Sequence, residues 1–377
     1  MKILPLSPTS KQTFSAARKK LCPEIFVELN QSLLQEFYTD NEFKTLFGRR
    51  VIAVDDSTLQ LPSSEEIIKK YGIYKNQTTT SIPMAKISYA YDVLNDITLD
   101  AIISPYKESE RTMAMQYVKN IAHLTSKDIK DLYIEDRGYP SAYLFFYYDY
   151  ERKDFIMRCK TAFSFEINNI VKKGYKDKII SLSIKDLKPK HKKKLLPDID
   201  WNKTIQLRVL VIPISSEENE VLITTLLDET QFKYEDFADF YHKRWKVEEN
   251  YKFYKVRLEI ENFSGESTIA VEQDFHATIF TCNIRSMLAI EAEEELKKKN
   301  SNKKLKYEYK INKNISAGIL KDEIIKILLN KKGNLKQFCN KLKKQMKLSM
   351  IPIIQERKYD RIRKSNKKYP MNKRKAF

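Results

Sequence analysis

A chain of 377 residues with 42% hydrophobic content is long enough for two or three domains and a sizeable core. Its formal net charge is +19, from 69 Lys and Arg against 50 Asp and Glu, which points to a polyanionic partner, nucleic acid ahead of an acidic membrane surface. The plainer alternative is a lysine-rich surface that reflects composition bias alone. With 7 glycines and neither GxGxxG nor GxxxxGK, the sequence excludes a nucleotide-cradling loop. Cys22, Cys159, Cys282 and Cys339 form no CxxC pair and have no His at ligand spacing, which argues against a zinc site or a disulfide framework and fits a reducing compartment. The start MKILPLSPTSKQ lacks a signal-peptide core, and no apolar run approaches the ~18 to 20 residues of a membrane span. The expectation is a soluble, cytoplasmic protein.

In chain order, residues 1–47 read as a helical lead-in available for DNA contact. SKQTFSAARKKL and PEIFVELNQSLLQEFY carry apolar residues three and four apart, among them Phe14, Ala17, Leu21, Ile25, Leu29 and Leu33. VIAVDDS is a short apolar strand that ends in a doubled carboxylate. SIPMAKISYAYDVLNDITLDAIIS is two β-prone runs around an Asn95-Asp96 turn, the pattern of a hairpin. ESERTMAMQYVKNIAHL reads as a helix, DLYIEDRGYP as a strand stopped by Gly138 and Pro140, and SAYLFFYYDYER as an aromatic helix. Strands alternating with helices suit an α/β mixed sheet with flanking helices, its carboxylates at strand ends where such sheets hold ligands.

The texture changes over residues 154–228, where DFIMRCK, KIISLSI, TIQLRVLVIPI and EVLITTLL read as a β-rich insertion broken by the basic loop KDLKPKHKKKLLPD. A long helix is expected through FKYEDFADFYHKRWKVEENYKFYKVRLEI, followed by the apolar segment DFHATIFTCNIRSMLAIEAEEEL, within residues 229–296. Residues 297–377 are basic: a lysine-rich connection, a short amphipathic helix near Ile319 to Leu329, and a tail with ten Lys or Arg against two acids. Such tails track phosphates when nucleic acid is present.

Three acidic doublets stand out: Asp55-Asp56, Glu135-Asp136 and Glu248-Glu249. Cleavage of a phosphodiester by two divalent ions needs a few carboxylates around metals about 3.5 to 4 Å apart. Mg²⁺ favours oxygen ligands and keeps several waters, so a dispersed trio suffices. Singly, each doublet reads as well as ordinary solvated charge. The long helix shifts the balance: at about 100° per residue, Tyr241, Arg244, Glu248 and Lys255 fall at about 0°, −60°, −20° and −40°, one narrow face. That set makes poor core and a good phosphate clamp around one carboxylate.

The spacing Tyr241-x2-Arg244-x3-Glu248-x6-Lys255 resembles the signature of the insertion-sequence-four transposases, the DDE group named for Tyr, Arg, Glu and Lys. RRVIAVDDSTLQLP resembles the first-aspartate segment of that family, IEDRGYPS the second, and RLEIENFSGES the stretch after the glutamate; FSAARKKLCPEIFVELN and VLITTLLDE are similar too. The likeness runs from about residue 12 to 290. It implies a ribonuclease-H-like catalytic domain in two parts, 48–153 and 229–296, interrupted by the β-rich insertion. The 112 residues between Asp136 and Glu248 leave room for it. It also implies that Asp55, Asp136 and Glu248 are the catalytic carboxylates and ligate Mg²⁺, with Mn²⁺ as a substitute. Tyr241, Arg244 and Lys255 are then DNA-binding residues.

The implied reaction is cut-and-paste DNA transposition of an insertion sequence. Water frees a 3′-OH at the element end, related members pass through a DNA hairpin, and the 3′-OH attacks target DNA. The implied partners are double-stranded DNA, as terminal inverted repeats and target, and a second copy in a synaptic homodimer. A nucleoid-associated location in the cytoplasm follows. The alternatives are a ribonuclease-H-like nuclease that cuts without strand transfer, and an inactive DNA-binding remnant.

Two departures from the family pattern matter. Asp56 stands where relatives tend to carry glycine; it either perturbs a metal site, since like charges disfavour ionisation, or points away from it, since neighbours on a strand face opposite sides. Only about 47 residues precede the catalytic strand, where many relatives have a larger DNA-binding domain. Trp201 and Trp245 are read as core, with stacking on an extruded base as the alternative. Ser57 and Thr58 shape the turn after Asp55, and Arg137 either meets phosphate or braces its turn.

Overall fold

The computed structural model describes residues 10–39, 42–75, 81–124, 129–186, 200, 202–214, 218–303, 305–329 and 334–354. Trp201, most of the basic loop KDLKPKHKKKLLPD and all of the basic tail from Glu356 lie outside the described residues. The chain divides into two compact units. One comprises residues 34–58 and 86–252; the other comprises residues 1–33, 59–85 and 253–377.

The first unit is built on a mixed sheet. Its strands are β1 (Arg49–Gln60), β3 (Ser81–Asp92), β4 (Ile97–Pro105), β5 (Lys130–Glu135), β6 (Asp154–Cys159), β7 (Asp177–Ser183), β8 (Thr204–Pro213) and β9 (Asn219–Thr224), of which β1 and β3 run on into the other unit. The strand order is β3-β1-β5-β6-β9-β8-β7, with β4 paired to β3. β1, β5 and β6 are parallel neighbours, while β9, β8 and β7 continue the sheet antiparallel. The strands of residues 154–228 therefore extend the sheet that carries β1 and β5, making one open mixed α/β layer.

The helices of this unit are α2 (Glu24–Tyr38, entering it at Leu34), α4 (Glu110–Asn120), α5 (Ala142–Tyr150), α6 (Phe165–Lys172), α7 (Phe237–His242) and α8 (Trp245–Lys252). Val51, Ile52, Ala53 and Val54 are all fully buried. Both faces of β1 are thus covered, as in the parallel part of an α/β sheet, and each large aliphatic side chain contributes about 1.5–3 kcal/mol by leaving water. A two-residue turn aims β1 into the sheet. Phe47 and Gly48 both take positive φ (48° and 71°), as a type I′ turn requires, and Leu46 and Arg49 exchange hydrogen bonds of 2.8 and 2.9 Å.

Two sequence expectations are corrected. β1 does not end at the doubled aspartate: it continues to Gln60, and only its pairing with β5 stops at Val54. The expected long helix is broken. α7 and α8 are separated at Lys243–Arg244, where Arg244 N–H bonds Tyr241 C=O and Val247 N–H bonds Arg244 C=O, the tighter three-residue repeat. From Phe253 to Arg257 the helix widens to a π-helix, and these residues belong to the other unit.

That unit holds α1 (Lys11–Lys19), α3 (Glu65–Tyr71), β2 (Ile73–Lys75), α9 (Thr268–Asn300), β10 (Glu308–Ile311), α10 (Lys313–Leu329), α11 (Leu335–Met346) and β11 (Met350–Ile353). Arg18 ties α1 to α9 through Gln273, Asp274 and the Ala270 carbonyl. Leu288, Ala289 and Ala292 of α9 pack with Leu320, Leu342 and Met346 in a separate small core. Among the described residues no helix is long and apolar enough to cross a membrane.

Candidate active site

Sheet register places the first two carboxylates. Val54 of β1 pairs with Glu135 of β5, so Asp55 and Asp136 follow one residue later at the carboxyl ends of the paired stretches. Beyond the ladder the Asp55 carbonyl takes other donors: Ser88 Oγ at 2.8 Å and Tyr251 Oη at 2.7 Å. Tyr251 comes from α8 and stacks on Tyr89 with ring centroids 4.5 Å apart, so buried aromatic packing fixes the backbone that carries Asp55.

The broken helix supplies the rest. Arg244 is 2% exposed and spans two carboxylates, with Nη2 2.8 Å from Glu248 Oε1 and Nη1 3.6 Å from Asp55 Oδ2. Its guanidinium lies 5.7 Å from the ring centroid of Tyr241 and 5.0 Å from that of Trp245. Tyr241 in turn donates to Asp136 Oδ1 at 3.3 Å. Asp136, Tyr241, Arg244, Asp55 and Glu248 therefore form one connected polar cluster. Lys255 lies on the π-helical turn of the other unit, where burial lowers its amine pKa and Glu261 partly offsets that effect.

The doublets resolve into unequal members. Glu135 is fully buried and accepts from Tyr148 Oη at 2.5 Å; burial pushes its carboxyl up to about 8, so it is neutral at pH 7. Glu249 is exposed. Burial also raises Asp55 to about 7, opposed by Arg244 and by the Asp56 N–H that donates to Asp55 Oδ1 at 2.9 Å. The Asp56 carboxylate pairs instead with Lys86 Nζ at 3.3 Å. Trp245, expected as core, is 41% exposed, which corrects that reading. Arg137 is exposed.

Asp55, Asp136 and Glu248 each carry carboxylate oxygens, and the Asp55 and Glu248 side chains are 19% and 30% exposed. Such groups suit a hard divalent cation that retains several waters. Among the described residues no group of three or more His, Cys, Asp or Glu gathers around one point that could hold a metal ion. The oxygen chemistry of these side chains suits magnesium, which keeps several waters, but among the described residues the three carboxylates are not gathered as a metal centre. Arg244 Nε is buried without a hydrogen-bond partner, and Nη1 is engaged only in the 3.6 Å ion pair with Asp55.

Sequence reasoning missed Ser88, Tyr251 and Lys86. Each acts on a backbone atom or neighbouring charge that only the fold brings near, and none belongs to a motif.

A family model described as the transposase DDE domain matches residues 46–284, well over half the chain. The chain belongs to the transposase DDE domain family. Among solved structures it is similar to the cryo-EM structure of the piggyBac transposase synaptic complex with hairpin DNA, at 9% identity and a TM-score of 0.44, covering 82% of this chain. The chain spans 59% of the length of that one. No curated protein matches it.

Proposed function

We propose that this chain is a DNA transposase of the insertion-sequence-four type, with a ribonuclease-H-like catalytic core, acting by phosphodiester hydrolysis followed by strand transfer. The observation that carries the reading is the polar cluster itself: two carboxylates from the ends of paired parallel strands and one from a helix, joined by a buried arginine and a tyrosine. Asp55, Asp136 and Glu248 would hold two Mg²⁺ ions, or Mn²⁺, which when bound stabilise charge on the attacking and leaving oxygens. Arg244 balances the Asp55 and Glu248 carboxylates beside it, and its guanidinium is the charge-assisted donor nearest them for a phosphate oxygen. Tyr241 orients Asp136 through its hydroxyl. Lys255 adds positive charge for the DNA backbone. The partners are double-stranded DNA, as inverted repeats and target, and a second copy of the chain.

The test is incubation with Mg²⁺ and DNA carrying the repeats that flank the gene, with nicked, hairpin and joined products resolved on gels. Asp55→Ala, Asp136→Ala and Glu248→Ala each abolish cleavage, a drop of at least ~10³-fold, while DNA affinity stays within a few-fold. Wild-type cleavage by any one of them overturns the site assignment. Cleavage without joined products reduces the protein to a nuclease.

A further inference from the structure

The loop that follows Asp136 is held by a single guanidinium. Arg111, on the first turn of α4, donates from Nε to the Tyr139 carbonyl at 2.9 Å and from Nη2 to the Gly138 and Pro140 carbonyls at 2.7 and 3.3 Å. These three carbonyls lie past the end of β5, whose pairing with β6 stops at Glu135, so no strand satisfies them. The loop also closes on itself, with Tyr139 N–H bonded to Asp136 C=O at 3.1 Å.

The neighbouring residue reinforces the arrangement. A Cβ on Gly138 would lie 2.5 Å from Glu110 Oε2, so the missing side chain lets the Glu110 carboxylate rest on the loop backbone. Lys86 Nζ stands between Asp56 Oδ2 at 3.3 Å and Glu110 Oε1 at 4.0 Å. Asp56, Lys86 and Glu110 thus link the first aspartate segment to the same turn of α4 that grips the second.

We propose that Arg111 is the positioning residue for Asp136, and that Asp56 serves the Lys86–Glu110 latch beside it rather than the catalytic carboxylate set. This rests on the proposed function of the site, because Asp136 is positioned for phosphodiester chemistry. A planar fork that engages three successive carbonyls restricts the loop in direction as well as distance, which a lysine ammonium does not reproduce. Groups that orient a ligating or reacting side chain typically contribute 10- to 100-fold when removed.

The test compares Arg111→Ala and Arg111→Lys with the wild-type chain by two readouts. Amide hydrogen exchange, measured without DNA or metal, rises selectively at residues 137–139, above all at Tyr139, whose N–H is bonded to the Asp136 carbonyl, in both variants. DNA cleavage falls on the order of 10- to 100-fold, with unchanged DNA affinity and a raised Mg²⁺ concentration for half-maximal rate. Unchanged exchange, a wild-type cleavage rate, or deprotection spread over the whole chain overturns the assignment; if Arg111→Ala does not fold, Arg111→Lys decides by the same readouts. A wild-type chain with no metal-dependent cleavage overturns the functional reading and the catalytic role of Arg111 with it, while the exchange result still decides whether Arg111 holds the loop.

Discussion

Arg50 and Asp131 stand opposite each other in the β1–β5 register, both without solvent exposure, with Arg50 Nη2 2.9 Å from Asp131 Oδ1. Lys153 Nζ reaches the second Asp131 oxygen at 2.9 Å, and the Arg50 guanidinium lies over Tyr38. This pair sits five residues before Asp55 on one strand and five before Asp136 on the other, so it fixes the register on which the site depends. A slip of one residue would turn every side chain of β1 to the opposite face. Removing one partner strands a charge in the core: Asp131→Ala lowers unfolding free energy by about 3–5 kcal/mol, measured by urea titration, whereas the combined change Arg50→Met, Asp131→Leu and Lys153→Met recovers most of that loss. The same scale answers which member of the doubled aspartate matters. The Asp56 backbone N–H holds the Asp55 carboxylate, and its own carboxylate turns to Lys86. The family resemblance separates the two aspartates by position, and in the structure they also differ in their partners.

At the scale of elements, the helix bearing Tyr241, Arg244 and Glu248 shows how a regular pattern can be right in grouping and wrong in form. The α-helical angles place all four residues of the signature on one face, yet the backbone tightens between α7 and α8 and widens after Lys252. Tyr241 and Arg244 still meet, because side chains three apart eclipse in a tighter turn. Lys255 falls on the π-helical turn from Phe253 to Arg257, where the angle per residue differs from that of an α-helix. The helices that frame the fold rely on ordinary capping. Ser267 Oγ accepts from Ala270 N–H at 3.2 Å at the start of α9, a helix of 33 residues. Ser267→Ala therefore lowers stability by about 1 kcal/mol, read as a shift in the urea midpoint at unchanged slope, with no effect on the residues around Asp55.

For the whole molecule, acid lability is expected from the unit that carries α9. Burial lowers His276 from 6.5 to about 4, against the opposing pull of Glu272 and Glu24. Below pH 6.5 the unfolded chain takes up a proton that the native side chain refuses, so stability present above pH 6.5 is lost progressively toward pH 4, by up to about 3 kcal/mol. Unfolding midpoints measured from pH 7 to 4.5 should fall accordingly, and His276→Gln should flatten that part of the profile.

Much of this was legible in the sequence. Asp55 and Asp136 stand out by resemblance to family segments and Tyr241, Arg244 and Glu248 by helical spacing together with that resemblance, while the strands, the hairpin and most helices follow from apolar periodicity and turn residues, because both signals are local. Tertiary structure alone decided that β6, β9, β8 and β7 extend the sheet of β1 and β5, since strand pairing is set by contacts between distant segments. It also decided that Trp245 is exposed, that Glu135 is buried with its carboxyl pushed up to about 8, and that Arg111 grips the loop after Asp136. Burial and backbone hydrogen bonding depend on what the fold places beside a residue, and no spacing along the chain encodes them.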